Sequence, residues 1–402
     1  MISRMRCASA WAAIGLAGLF FFACSAEEGP QNLTGDGVWP GEQWPTSSAA
    51  AEGIDQGAID SLVAEIEAGD YGLVDHFLLI RHGRVVADHH FSHDYAAIAA
   101  QYDTTNHQYN YDHPAWHPYY RDSDLHTLQS VTKSITSAGL GIAIDDGLIE
   151  DVHVPVLPYF AAYEHSTSDP RKQSITLEDL LTMRSGIEWY TEGGYGSGVH
   201  STDLLEASDT WIQFVLDQPM DADPGTVFEY NDGVSVLIGK ILREATGQRA
   251  DRWVAERLFR PIGITDFYWK ITPDGEADTE GGLYLSAHDL ARVGYLFLMG
   301  GEWNGQQILS NEWVTASTTP VVPDVAPGND RVDIGYGYQW WVPDRDGHRP
   351  LVFAGNGYGG QFLLVVPDYD MVAVFNGWNI HGGDIRSTYR VLQERILPAT
   401  QR

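Results

Sequence analysis

The sequence predicts an α+β fold, with a sheet lobe assembled from both ends of the chain and a mainly helical lobe inserted between them. Two observations predict it. Strand-like runs occur near Phe77–Ala87 and return only after Gly337, while almost every periodic stretch between them has helical spacing. With 402 residues, 44% of them hydrophobic, there is ample material for a large core, and no internal repeat is visible.

Taken in order, the chain opens with Arg4 and Arg6 ahead of an apolar run, Ala8 to Ala23. The run is too short for a good membrane span and reads as an export signal over residues 1–23. It ends Phe21-Phe22-Ala23-Cys24-Ser25, and a small residue directly before Cys resembles a bacterial lipobox, in which Cys24 would carry a lipid. This places the mature protein outside the cytoplasm, on the periplasmic side and held to a bacterial membrane by that lipid. Residues 24–53, rich in Gly, Pro, Ser and Glu, read as a flexible tether ahead of a domain spanning 54–400.

A helix is expected over Gln56–Glu67, then a hairpin in which Phe77–Ile80 and Val85–Ala87 flank His82-Gly83-Arg84. Residues 92–125 are polar and aromatic and read as a long loop. Helical patterns follow at 130–145, 176–183, 203–217, 233–246, 250–258 and 287–299. Strands return at Gly337–Val342, Leu351–Ala354, Gln361–Val366 and Met371–Phe375, before a last helix at about Gly383–Ile396. The sheet lobe then takes in residues 54–95 and 270–400, and the helical lobe 126–269.

Charge and cysteine usage exclude several functions. The formal charge of −31 repels nucleic acid and anionic surfaces, so a nucleic-acid partner is not expected. Cys7 and Cys24 both precede the domain, which leaves it without a disulfide, a thiolate nucleophile or a Cys-based zinc site. There is no H-E-x-x-H and no Walker A motif. His113 and His117 are four apart, but Pro114 lies between them and no acidic third ligand is evident, so they read as loop histidines. No metal and no cofactor are assigned.

Three motifs carry chemistry. Ser130-Val131-Thr132-Lys133 opens a helix, which puts Ser130 and Lys133 on one face. A serine hydroxyl needs a nearby base to become a nucleophile, and a lysine serves when its environment lowers its pKa. Taken alone, the pattern describes a serine cap beside a surface lysine at least as well. Tyr230-Asn231-Asp232 supplies a tyrosine that can carry a proton, or one that is merely structural. Gly355, Gly357 and Gly360 formally match G-x-G-x-x-G, but a strand follows where a dinucleotide site needs a helix. There, a glycine-rich strand lets a substrate approach the backbone. No G-x-S-x-G elbow is present.

In this order and spacing the motifs resemble the serine β-lactamase and penicillin-binding protein superfamily. The class C-like branch, which also holds family VIII esterases, D-aminopeptidases and 6-aminohexanoate-oligomer hydrolases, is the nearest in pattern. The helix from Ser130 to Gly147, the stretch Ile175 to Gly186 and the segments Leu258–Ile264 and Ser286–Arg292 resemble that branch as well. The resemblance implies a β-lactamase/transpeptidase-like fold, an antiparallel sheet flanked by helices. It makes Ser130 the nucleophile, Lys133 its paired base and Tyr230 a proton carrier. The backbone N–H groups of Ser130 and Gly357 would form the oxyanion hole, and Asp232, Asn356 and Tyr358 would belong to the substrate and proton network.

Two departures stand out. Asp232 occupies a position that is usually Asn, and Ala354-Gly355-Asn356 aligns with the usual Lys-Thr-Gly or His-Thr-Gly, so the cation or imidazole is absent. The implied activity is a serine hydrolase acting on small ester or amide substrates, short acyl esters above all. A hydrolase of D-amino-acid or cyclic and oligomeric amides is the first alternative. A penicillin-recognising sensor without turnover is the second.

Overall fold

A computed structural model describes residues 37–101, 123–163, 169–326, 334–343, 351–380 and 386–401. The chain begins with helix α1 (Gln56–Glu67), whose N-cap Asp55 accepts from the Gly57 amide, and the hairpin strands β1 (Val74–Arg81) and β2 (Arg84–His90). A short helix α2 (Tyr95–Ala99) and strand β3 (His126–Thr127) lead to helix α3 (Val131–Asp145). Helices α4 (Leu177–Leu181), α5 (Ser201–Glu206), α6 (Trp211–Asp217), α7 (Asp232–Thr246) and α8 (Ala250–Val254) follow. Then come strands β4 (Tyr268–Trp269) and β5 (Leu283–Leu285), helix α9 (Ala287–Leu298), the small hairpin β6 (Glu302–Trp303) and β7 (Gln306–Gln307), and helix α10 (Asn311–Thr318). The described chain returns to the sheet with β8 (Ile334–Tyr336), β9 (Trp341–Pro343), β10 (Phe353–Gly357), β11 (Gln361–Val366) and β12 (Met371–Gly377).

Seven of these strands form one sheet in the order β2-β1-β12-β11-β10-β9-β8, with every neighbouring pair antiparallel. The expected antiparallel sheet is therefore present, with strands from both ends of the domain side by side. Its central strands are buried along their length because both faces are covered. Leu363, Val365, Val372 and Val374 face the core containing α3, α7 and α9, while Leu364, Val366, Ala373 and Phe375 face α1 and the helical turns at 388–399. The first core runs unbroken from the sheet into the helical part, so the two lobes share one interior.

Several boundaries differ from expectation. The stretch 203–217 is two helices, α5 and α6, because Ser208, Asp209 and Thr210 supply turn chemistry between them. Gly337–Val342 is split between β8 and β9 by a tight turn with Gln339 at φ 64°. The last helix is a run of mixed-pitch turns from Thr388 to Ala399, and its expected first turn lies partly outside the described residues. Helices α2 and α10 and strands β3 to β7 were not expected. Most of the expected loop at 92–125 lies outside the described residues, though α2 occupies part of it.

Part of the segment expected as a tether is packed on the sheet lobe. Trp39 packs edge-on against Tyr295, Trp44 is buried and donates its indole N–H to the His288 carbonyl, and Thr46 bridges to Val85 on β2. Two tryptophans in a Gly- and Pro-rich segment bring enough apolar surface to anchor it. At the opposite edge, Val322 bridges to Tyr336 on β8. Cys24 and the export signal lie outside the described residues.

Helix α3 is buried around almost its whole circumference, from Val131 to Ala143. It fits only because Gly139 and Gly141 let other elements approach. A Cβ on Gly141 would lie 2.5 Å from three ring atoms of Trp313 on α10. Gly141→Val is expected to lower stability by about 1–3 kcal/mol through overpacking, measured as a reduced denaturation midpoint with unchanged slope.

Candidate active site

The fold places Ser130 at the N-terminus of α3, at the junction of this central helix with β3 and β10. Its hydroxyl does not cap the helix. Instead Oγ accepts a hydrogen bond from Lys133 Nζ at 3.0 Å, one turn along. The reading of Ser130 as a cap beside a surface lysine is thereby removed, since Lys133 is 1% exposed. The residue before it, Gln129, sits at φ 48°, a left-handed conformation unusual for a residue with a side chain. Strain of this kind persists where packing over-determines the backbone, often beside reacting groups.

Lys133 is surrounded. Besides Ser130 Oγ, its ammonium lies 2.7 Å from Asp232 Oδ1 and 3.5 Å from Glu280 Oε2, and it donates to the Glu280 carbonyl at 2.5 Å. Burial alone would lower its pKa. The charge of Asp232, with Tyr230 and Glu280 behind it, outweighs burial and holds Lys133 well above the ordinary lysine range. Asp232 is itself pushed up by burial, but Lys133 and hydrogen bonds from Thr202 (2.6 Å) and Tyr195 (3.1 Å) hold it below the usual carboxylate value. The resting pair is ammonium and carboxylate.

Tyr230 precedes α7, its ring 5.4 Å from Lys133 Nζ and stacked on Trp341. Burial raises its pKa, opposed by Lys133 and by a side-chain hydrogen bond with Ser130. Ser130, Lys133, Tyr230 and Asp232 therefore form one contiguous cluster. The sequence reading missed what lies behind it. Glu280 is raised to about 7, first by burial and then by Asp278. Glu206 is likewise pushed well up, chiefly by burial, with Lys270 opposing and Glu280 adding to the shift. Lys270 completes this buried row, its ammonium 3.4 Å from Asp278 Oδ2. Asp278-Thr279-Glu280-Gly281-Gly282 was the sequence signal, an acidic run broken by glycines inside an apolar context.

Strand β10 closes the other side. Gly355 and Gly357 face α3. A Cβ on Gly355 would lie 2.8 Å from Val131 Cγ1, and one on Gly357 would lie 2.3 Å from the Leu128 carbonyl. Gly357, the expected oxyanion donor, thus abuts the turn that delivers Ser130. Ala354 is fully buried in the core on the other face of the sheet. By alternation Asn356 lies on that same far face, away from Ser130. Tyr358 stands next to Tyr195, ring centroids 5.1 Å apart, and donates its hydroxyl to the Ile380 carbonyl. Tyr195 in turn donates to Asp232.

A family model described as Beta-lactamase matches residues 60–391. The 6-aminohexanoate-dimer hydrolase of Paenarthrobacter ureafaciens is 27% identical over 275 residues, 64% of this chain and 68% of that protein. Among solved structures, a family VIII carboxylesterase superposes with a TM-score of 0.61 at 17% identity, covering 88% of this chain and 98% of the other. A D-stereospecific amidohydrolase from Streptomyces sp. gives 0.59 at 18% identity, over 85% and 98%. At these identities both structures establish a shared fold.

Replacing Asp232 by Asn keeps acceptors for Thr202 and Tyr195 and removes the charge that holds the Lys133 proton. The Lys133 pKa then falls and its neutral form is reached at lower pH. The kcat/KM profile of Asp232→Asn, recorded against an ester on a variant with native circular dichroism, is expected to move toward acid. An unmoved profile would show that Lys133 does not set it.

Proposed function

The chain belongs to the β-lactamase family and is a hydrolase, and we propose that it cleaves ester or amide bonds through an acyl-enzyme on Ser130. One observation carries this reading: a serine hydroxyl spared from capping, bound to a fully buried lysine amine at the start of the central helix. Ser130 Oγ attacks the acyl carbon, its proton passes to the Lys133–Tyr230 pair, and that pair returns it to the leaving alcohol or amine. Water then attacks the acyl-enzyme by the reverse relay and releases the acid. The backbone N–H groups of Ser130 and Gly357 would receive the oxyanion, a contribution of about 3 kcal/mol per donor in comparable sites.

The resting Lys133 is protonated, so it donates to Ser130 rather than accepting from it. Asp232 sets this state. Burial holds the Tyr230 hydroxyl protonated as well, so the Lys133–Tyr230 pair must give up one proton to solvent before it can take the one from Ser130. Neutralising Asp232 makes that loss easier at Lys133.

Neutral short acyl esters fit best. Ala354, aligned with the usual cation, is buried on the far face of this strand, and the residues facing α3 are Gly355 and Gly357. Neither carries a side chain, and any added at Gly355 would collide with Val131. A substrate carboxylate thus lacks a charged partner from this strand, a loss of roughly 1.5–3 kcal/mol. Amide hydrolysis is the second reading, favoured by the likeness to the 6-aminohexanoate-dimer hydrolase.

We further infer that the mature chain is exported and lipid-anchored through Cys24, which the basic start, the apolar run and Ala23-Cys24-Ser25 support. Among the described residues no helix is long and apolar enough to cross a membrane.

Fluorophosphonate treatment is expected to add one phosphonyl group to the wild-type chain and none to Ser130→Ala by intact mass. An adduct retained in the variant overturns the assignment of Ser130. On one preparation, kcat/KM for p-nitrophenyl butyrate is expected to exceed that for nitrocefin by at least about tenfold, the loss of one charge-assisted contact. Equal rates would sink the ester preference. Cys24→Ala is expected to move the protein from the membrane fraction to the soluble one, and a wild type already soluble would refute the anchor.

A further inference from the structure

Away from Ser130, at the β2 edge of the sheet, four side chains converge on one point. His76 on β1 is the direct cross-strand partner of His90 on β2, and their rings lie 3.8 Å apart. Asp88, two residues before His90, points to the same face by strand alternation. His288, in the first turn of α9, reaches the group from the helix packed above. We propose that His76, Asp88, His90 and His288 form a binding site for a divalent transition-metal ion, zinc fitting best.

The distances carry this. His76 Nε2 is 2.7 Å from Asp88 Oδ1, His288 Nε2 is 2.9 Å from Oδ2, and His90 Nε2 is 3.8 Å from Oδ1. One donor atom each from His76, Asp88 and His90 lies within 4.8 Å of the others. Tetrahedral zinc, with ligands at 2.0–2.2 Å, requires donors about 3.3 Å apart. The three observed separations, all measured to the Asp88 carboxylate, bracket that value.

The donor count points the same way. A carboxylate has two oxygens, and His76 and His288 take one each. His90 is left beyond hydrogen-bond range of the nearer oxygen, its ring tilted against that of His76 with centroids 3.8 Å apart. Asp88 thus bonds directly to two of the three imidazoles. A divalent ion accepts a lone pair from every member. Imidazole and carboxylate together, without thiolate, select zinc and its neighbours over calcium or magnesium. The group opens on a cleft of about 300 Å3 that also holds His126 and Ser286, which leaves the ion accessible from solvent. Bound there, it would tie the β1–β2 edge to the N-terminus of α9.

The test uses tag-free, chelator-stripped full chain titrated with Zn2+ in a calorimeter and with Co2+ by visible absorption. One equivalent of Zn2+ is expected, with a raised Tm and Co2+ d–d bands that Zn2+ displaces. His90→Ala and His288→Gln, both at solvent-accessible positions, are each expected to weaken binding at least about tenfold through loss of a ligand. His89→Ala, whose ring stacks on Phe77 on the other face of β2, is expected to leave binding unchanged. Absence of stoichiometric binding at about 100 µM free Zn2+ would overturn the site, since structural zinc binds far more tightly. Binding kept in both variants but lost when His113 and His117 are replaced would overturn it equally.

Discussion

A lysine amine sealed in an apolar interior demands a negative partner, and the pairing of Lys133 with Asp232 meets that demand at 2.7 Å. Much of the site follows from it. Asp232 opens α7 and Lys133 lies in the first turn of α3, so the ion pair fixes two central helices against each other. Thr202 and Tyr195 donate to the same carboxylate, which draws in the loop before α5. Removing either charge would strand the other without solvent, a loss of about 3–5 kcal/mol in comparable pairs. An asparagine would hold the geometry with a neutral hydrogen bond. The carboxylate adds a fixed charge, which makes the Lys133 proton harder to lose.

Behind this pair the interior holds further carboxyls. Burial pushes Glu206 well up and raises Glu280 to about 7, because an anion without water beside other anions is costly. The fixed charge of Asp232 thus sits beside carboxyls that resist ionising.

The local part of this organisation was legible in the sequence. Helix α1 and strand β11 fall where capping and apolar runs put them, and the three chemical motifs were found with their spacing. What was not legible depends on the direction of side chains or on distant neighbours. Nothing in Ala354-Gly355-Asn356 says that Gly355 faces α3 while Ala354 faces the opposite core. Tyr195, Thr202, Glu206 and Glu280 are ordinary polar residues until the fold gathers them. The segment around Trp39 and Trp44 was judged by its average composition, and two large rings decided otherwise.

The bridges at Thr46 and Val322 bear on how the molecule lives among others like itself. An open seven-stranded sheet has two outer strands whose unpaired amides and carbonyls invite another chain to add on. Thr46 occupies part of that position beside β2, and Val322 does so beside β8. Each blunts one border with a few residues of the protein's own loop. The short stretch around Thr46 therefore shields part of the β2 border with the protein's own backbone, and leaves that much less edge open to strand addition.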